Sequence, residues 1–77
     1  MEINILAFGQ IAEIAGSATW KMSGIASTDE LREILSQTYP ALKTLSYKLA
    51  VDKIMVQENT LLSPNATVAL LPAFSGG

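Results

Sequence analysis

Apolar and polar side chains alternate from Glu2 to Phe8. Ile3, Ile5 and Ala7 fall on one side and Asn4, Leu6 and Phe8 on the other, the period-two pattern of a strand. Gln10 to Ala15 fits a short helical turn, closed by Gly16 as a left-handed cap. Ala18 to Met22 reads as a second short strand, and Ser23-Gly24 as loop. The clearest helix follows. Ser27 and Glu30 have the S-x-x-E spacing of a capping box, in which each side chain satisfies a free backbone N–H of the other's turn. Leu31, Ile34, Leu35 and Thr38 recur at i, i+3, i+4 and i+7 as one mostly apolar stripe, the face of a helix packed on a sheet. Pro40 ends the helix near Tyr39, because the residue before a proline is pushed out of the helical region. Leu49–Val51 and Ile54–Val56 read as strands around an Asp52-Lys53 turn. Ser63-Pro64-Asn65 is a turn, Thr67–Leu71 a last strand, and Pro72 stops it for want of an N–H to give a ladder. The order is strand, strand, helix, then several strands: one α+β domain over 1–77, with no repeat or linker and with a flexible tail expected at 72–77.

Composition sharpens this picture. The 77 residues are 49% hydrophobic and 16% charged, a balance that favours a folded domain. A chain this short buries only about 60% of the surface that it exposes when unfolded, and small domains often add a disulfide or a metal. With no Cys and no His, packing must suffice, and so small a core leaves apolar surface for a partner. The net charge is −2, and the five basic residues, Lys21, Arg32, Lys43, Lys48 and Lys53, are scattered. That argues against a nucleic-acid partner, which calls for clustered cations. No apolar run approaches the roughly eighteen residues of a membrane span. Glu2 and Glu13 spoil the N-terminus as a signal peptide, so a soluble cytoplasmic protein with no membrane partner is expected. The missing residue types also exclude chemistry. There is no thiol nucleophile, no imidazole base and no ordinary zinc site. None of the seven carboxylates has an obviously sheltered apolar setting. Catalysis by side chains is not expected, and neither a bound cofactor nor a metal.

The remaining chemical feature is the end, Leu70-Leu71-Pro72-Ala73-Phe74-Ser75-Gly76-Gly77. A terminal Gly-Gly arises by chance in roughly one chain in 200, so the pair alone is a weak signal. Here it follows a strand, a proline and a short tail. Glycine has no Cβ, so a diglycine is thin and can take backbone angles closed to other residues. Such a tail could thread a narrow channel and deliver one group, the terminal carboxylate of Gly77. A carboxylate is a poor electrophile until it is activated, most simply as an acyl adenylate. Sulfur can then displace AMP and leave a thiocarboxylate, which lets a chain without Cys carry sulfur.

The sequence resembles the small, sulfur-carrier subunit of molybdopterin synthase, a family of ubiquitin-like β-grasp proteins. The similarity spans essentially the whole chain. It rests on Ile3-Asn4-Ile5-Leu6-Ala7-Phe8 with Gln10 and Glu13-Ile14-Ala15-Gly16, on Thr28-Asp29-Glu30-Leu31-Arg32, on Leu49-Ala50-Val51-Asp52, and on Val68 through Gly77. The ending L-L-P-x-x-S-G-G is its most specific part. The resemblance implies a mixed sheet with one main helix packed on one face, the first and last strands lying side by side and parallel. It implies that Gly77 is adenylated by an E1-like, ATP-using activating enzyme and loaded by a sulfur donor system. The thin Gly76-Gly77 end then enters the large subunit and gives sulfur to a cyclic pyranopterin monophosphate. Four positions depart from the family's habit: Ala12 for a basic residue, Pro72-Ala73 for a double proline, Ser63-Pro64-Asn65-Ala66 for an acidic turn, and Asp52 for Asn. None touches the diglycine.

In that arrangement, alternation sends Val68 and Leu70 toward the helix and leaves Ala69 and Leu71 on the other side. Leu6, Phe8 and Leu71, with Pro72, Phe74 and Ser75 of the tail, are then the expected partner interface. Two alternatives stay open: a related carrier for thiazole synthesis or tRNA thiolation, and a β-grasp interaction module whose terminus is never modified.

Overall fold

Ile3, Ile5 and Ala7 are buried while Glu2, Asn4 and Leu6 are not, so the first strand, β1 (Glu2–Ala7), presents one face to the core as its alternation requires. The computed structural model describes residues 1–73. After β1 come α1 (Gly9–Ala15), β2 (Thr19–Ser23), α2 (Thr28–Thr38), a 3₁₀ turn (Pro40–Thr44), β3 (Tyr47–Val51), β4 (Ile54–Val56) and β5 (Thr67–Pro72). The strands form one sheet in the order β2-β1-β5-β3-β4. β1 and β5 pair in parallel, and every other neighbour is antiparallel. This is the mixed β-grasp sheet that the resemblance implies.

Local signals account for most boundaries. Gly16 takes φ 80° and closes α1 by giving its N–H to the Ala12 carbonyl. Ser27 is extended, and its Oγ accepts the Glu30 N–H at 3.4 Å. The return half of the capping box lands one residue early, with Glu30 Oε2 accepting from the N–H of Ala26 rather than of Ser27. The buried face of α2 is Thr28, Leu31 and Leu35; Thr38, expected in the stripe, is exposed. The burial is shifted toward the helix N-terminus because Thr28 is pinned there. Its N–H donates to the Thr60 carbonyl and its Oγ1 accepts the Thr60 N–H, both at 2.9 Å. Tyr39 leaves the helical region and caps α2 by donating to the Leu35 carbonyl, as Pro40 demands. Pro40 then opens the 3₁₀ turn, where its missing donor is not needed.

Leu31 and Leu35 pack on Ile3, Ile5, Leu49, Val68 and Leu70, and Ile11, Ile25, Leu42 and Leu62 close the ends of that core. The β3–β4 loop is two residues long, with Asp52 at φ 49° and Lys53 at φ 73°. Two positive φ values make it the type I′ turn that fits the right-handed twist of a hairpin. A lysine there bears the left-handed penalty that glycine escapes. Lys53→Gly is therefore expected to raise stability by roughly 0.5–1 kcal/mol, after allowing for the extra freedom of glycine in the unfolded chain. A urea midpoint shifted upward at unchanged m-value would verify it; a downward shift would mean that the Lys53 side chain has a packing role.

The last strand departs from expectation. It runs through Pro72, which pairs with Tyr47, instead of stopping at Leu71. Ala73 follows it by donating to the Ser46 carbonyl at 3.1 Å. Backbone groups alternate sides along a strand. Ala73 bonds toward β3 and the Leu70 carbonyl accepts from Phe8 on the β1 side, so the Pro72 nitrogen faces the β1 side, where β1 has already ended. No ladder bond is lost by its lacking a proton.

Candidate functional site

Because α2 covers only one face of the sheet, the other is open. On β5, Val68 and Leu70 are fully buried beneath the helix, while Ala69 and Leu71 are half-buried on the open side. Cross-strand partners share a face, so the register identifies the neighbours. Leu6 and Ala50 flank Ala69 from either side, Met55 lies beyond Ala50, and Lys48 stands beside Leu71. Phe8 continues the alternation of β1 and is 46% exposed. The expected patch of Leu6, Phe8 and Leu71 is thus brought onto one face. Beside Ala69, which alternation also puts on this side, the structure adds Ala50 and Met55 to it. Their strands were legible from sequence, but the pairing that sets their face was not.

Toward the β3–β4 turn this strip dips into a concavity of about 260 Å³ lined by Leu6, Ala50, Asp52, Lys53, Thr67 and Ala69. Lys48 borders the strip on β3, and Lys21, opposite Asn4, borders it on β2. Glu2 lies on the same face of β1, and Asp52 lines the concavity beside Lys53, so the border of the strip carries charges of both signs. Asp52 ties the turn to the start of β5: its N–H donates to the Thr67 carbonyl at 2.8 Å, and its Oδ1 accepts the Thr67 N–H at 2.9 Å. An Asn could accept the same bond, so this departure from the family's habit leaves the turn intact. Ala12 packs against the core from α1. Ser63–Ala66 closes as a turn through the Ala66 N–H to the Ser63 carbonyl, with Asn65 at φ 65°, the positive value that type II turns need at their third position.

At the upper end of the strip β5 leaves the sheet. Tyr47, the strand partner of Pro72, has the Arg32 guanidinium 5.0 Å from its ring centroid, a cation–π contact. Burial pushes the Tyr47 phenol above its ordinary range, and the nearby Arg32 charge and hydrogen bond work against that. Phe74, Ser75, Gly76 and Gly77 lie outside the described residues, so the expected reacting carboxylate is located only through its anchor at Ala73. Among the described residues no group of three or more His, Cys, Asp and Glu is placed to hold a metal, and no helix is long and apolar enough to cross a membrane.

The ThiS family model matches residues 5–77 of the chain. The molybdopterin synthase sulfur carrier subunit of Chlamydomonas reinhardtii is 30% identical over 83 residues, with all of both chains covered. Among solved structures, small archaeal modifier protein 1 from Methanosarcina acetivorans superposes with a TM-score of 0.81 at 23% identity, covering 99% of this chain and 96% of that one. A chain of the complex of subunits 1 and 2 of molybdopterin-converting factor from Helicobacter pylori gives a TM-score of 0.75 at 24% identity over the whole of both chains. At those identities the two structures establish the fold alone.

Proposed function

Since the chain belongs to the ThiS family, we propose that it is the sulfur carrier of a molybdopterin synthase, with the Gly77 carboxylate as its working group. The observation that carries this reading is the full-length similarity to a sulfur carrier subunit; the family match also runs through the diglycine. In the proposed sequence the carboxylate oxygen of Gly77 attacks the α-phosphorus of ATP held by an E1-like enzyme, and pyrophosphate leaves. Hydrosulfide, or its equivalent from a donor system, attacks the acyl carbon and expels AMP, leaving the thiocarboxylate. In the large subunit the thiocarboxylate sulfur displaces an oxygen substituent of a cyclic pyranopterin monophosphate to form a C–S bond. Water then cleaves the acyl thioester, leaving the sulfur on the pterin and returning the Gly77 carboxylate. A dithiolene contains two sulfurs and each tail brings one, so two loadings serve each product.

The open face supplies the docking surface for the large subunit in this reading. Its centre is apolar and its border is charged, which suits a partner surface with an apolar anchor and a polar rim. The pairing of subunits 1 and 2 in the Helicobacter complex supports a large-subunit partner; its seat on the open face is part of this proposal. ATP belongs to the activating enzyme, and the cytoplasmic, heteromeric setting is part of the same proposal. The second reading keeps the carrier chemistry and changes the acceptor, to thiazole synthesis or tRNA thiolation; the family model that matches is that of ThiS.

The test is intact mass. Incubated with an E1-like activating enzyme, ATP and sulfide, the chain should gain one oxygen-to-sulfur exchange, and omission of ATP should prevent it. An unchanged mass under loading conditions would leave only an interaction module. Sulfur delivered to a thiazole or tRNA precursor, but not to the pterin, would establish the second reading.

A further inference from the structure

Gly9 sits where β1 turns into α1, at φ +55°, and is exposed. A Cβ built on it would lie 3.1 Å from Pro72 Cγ, and nothing else comes within 4 Å. Two things therefore favour a missing side chain here, the positive φ and the exit of β5. The positive φ alone would admit Asn at modest cost; its Cβ would in addition press on Pro72 Cγ, which would have to give by a few tenths of an ångström.

On its other side Pro72 is held by its pairing with Tyr47, and Tyr47 by Arg32. The Ala73 N–H is fixed to the Ser46 carbonyl, and the Phe8 N–H to the Leu70 carbonyl at 3.3 Å. The proline ring adds a locked φ of its own. Pro72 is thus gripped between the β1–α1 corner and β3, one residue before the chain leaves the sheet.

We infer that Gly9 is a positioning residue for the C-terminal segment. By leaving room for the Pro72 ring it sets the direction in which Ala73 departs from the sheet. The inference rests on the carrier reading for its consequence, but its geometry stands apart from it. A side chain at position 9 would displace Pro72 by a few tenths of an ångström while leaving Leu6 and Leu71 on the docking face. The effect should therefore fall on the alignment of the reacting carbon and not on association.

The experiment uses the full chain with Gly9→Asn, Gly9→Ala, Pro72→Ala and the double variant Gly9→Asn/Pro72→Ala. Sulfur transfer from the loaded variants in complex with the large subunit gives kcat and KM for the carrier, and hydrogen exchange reports on the Ala73 amide. Both Gly9 variants should lose on the order of tenfold in kcat, with KM nearly unchanged, as misalignment of a reacting group predicts. Their Ala73 amide should exchange faster than in the parent chain. Pro72→Ala removes the Cγ that the new side chain meets, so the double variant should lose less than the product of the single losses. Unchanged Ala73 exchange in both Gly9 variants, a loss confined to KM, or strictly multiplicative losses would overturn the inference. If the parent chain itself takes up no sulfur, the carrier reading fails, and the Ala73 exchange rates decide the Gly9 contact by themselves.

Discussion

Deleting Gly77, or adding one residue after it, is expected to abolish sulfur loading and transfer while leaving the melting curve of the domain unchanged. The proposed reacting carbon is the last one in the chain, four residues beyond Ala73, and Ala73 is tied to Ser46 at the rim of the sheet. Reach is therefore counted from a fixed point. Four extended residues span at most about 14 Å, and one residue more or less moves the terminal carbon by about 3.5 Å. A misplacement of about 1 Å can already cost a hundredfold in rate, so either change should lower turnover by at least that factor. The core ends at Leu70, which is why stability should not follow. Normal sulfur transfer by the extended variant would remove the carboxylate from its proposed role.

Leu70 and Leu71 should give opposite phenotypes although they are adjacent. Leu70 lies in the central strand, fully buried against the α2 side. Truncation to Ala should cost about 2–5 kcal/mol, a large fraction of the roughly 5–15 kcal/mol that a domain has in total. In a chain with no disulfide to fall back on, the melting temperature should drop by on the order of 10–20 °C. Leu71 faces the open side beside Lys48. Leu71→Ala, like Phe8→Ala, should leave the melting temperature within a few degrees. Each should weaken binding to the large subunit by about 1–3 kcal/mol, roughly 5- to 150-fold in Kd. Calorimetry of the free domain and titration against the large subunit separate the two effects. A Kd unchanged in both Leu71→Ala and Phe8→Ala, or a collapse of the free domain in either, would return those residues to a structural role.

Features carried by neighbouring residues are legible in the sequence. The alternation of β1, the Gly16 cap, the Ser27 start of α2, its end before Pro40 and the Asp52-Lys53 turn each depend on contacts within a few positions, and each lies near where the pattern puts it. Features that depend on remote partners are not legible in this way. The 3₁₀ turn at Pro40–Thr44 is too short to show a period. Tyr47 and Lys48 join β3 because Pro72 and Leu71 lie opposite them, which no local preference announces. Thr38 fits the helical stripe as well as Thr28 does, and only the bonds from Thr28 to Thr60 decide between them. The proposed docking patch is half legible for the same reason: Leu6, Phe8, Ala69 and Leu71 follow from alternation plus a family resemblance, whereas Ala50 and Met55 need the register. The contact between Gly9 and Pro72 joins opposite ends of the sequence and leaves no local trace.

The place of β5 at the middle of the sheet bears on how the protein comes into being. It pairs with β1 on one side and β3 on the other, yet it is the last strand to be synthesised. Until it emerges from the ribosome, the β2–β1 hairpin and the β3–β4 hairpin have no common neighbour, and the apolar faces of both await Val68 and Leu70. Folding of this topology must close contacts between distant parts of the chain, the slow class of event for a small domain. A nascent chain stalled before β5 would expose two unjoined hairpins to aggregation and proteolysis. A chain that has closed its sheet has, by the same act, fixed Ala73 to Ser46 at the rim. Completion of the fold and the anchoring of Ala73 at the rim are one step, so under the proposed function only a chain whose sheet has closed would offer its last residues from a fixed point.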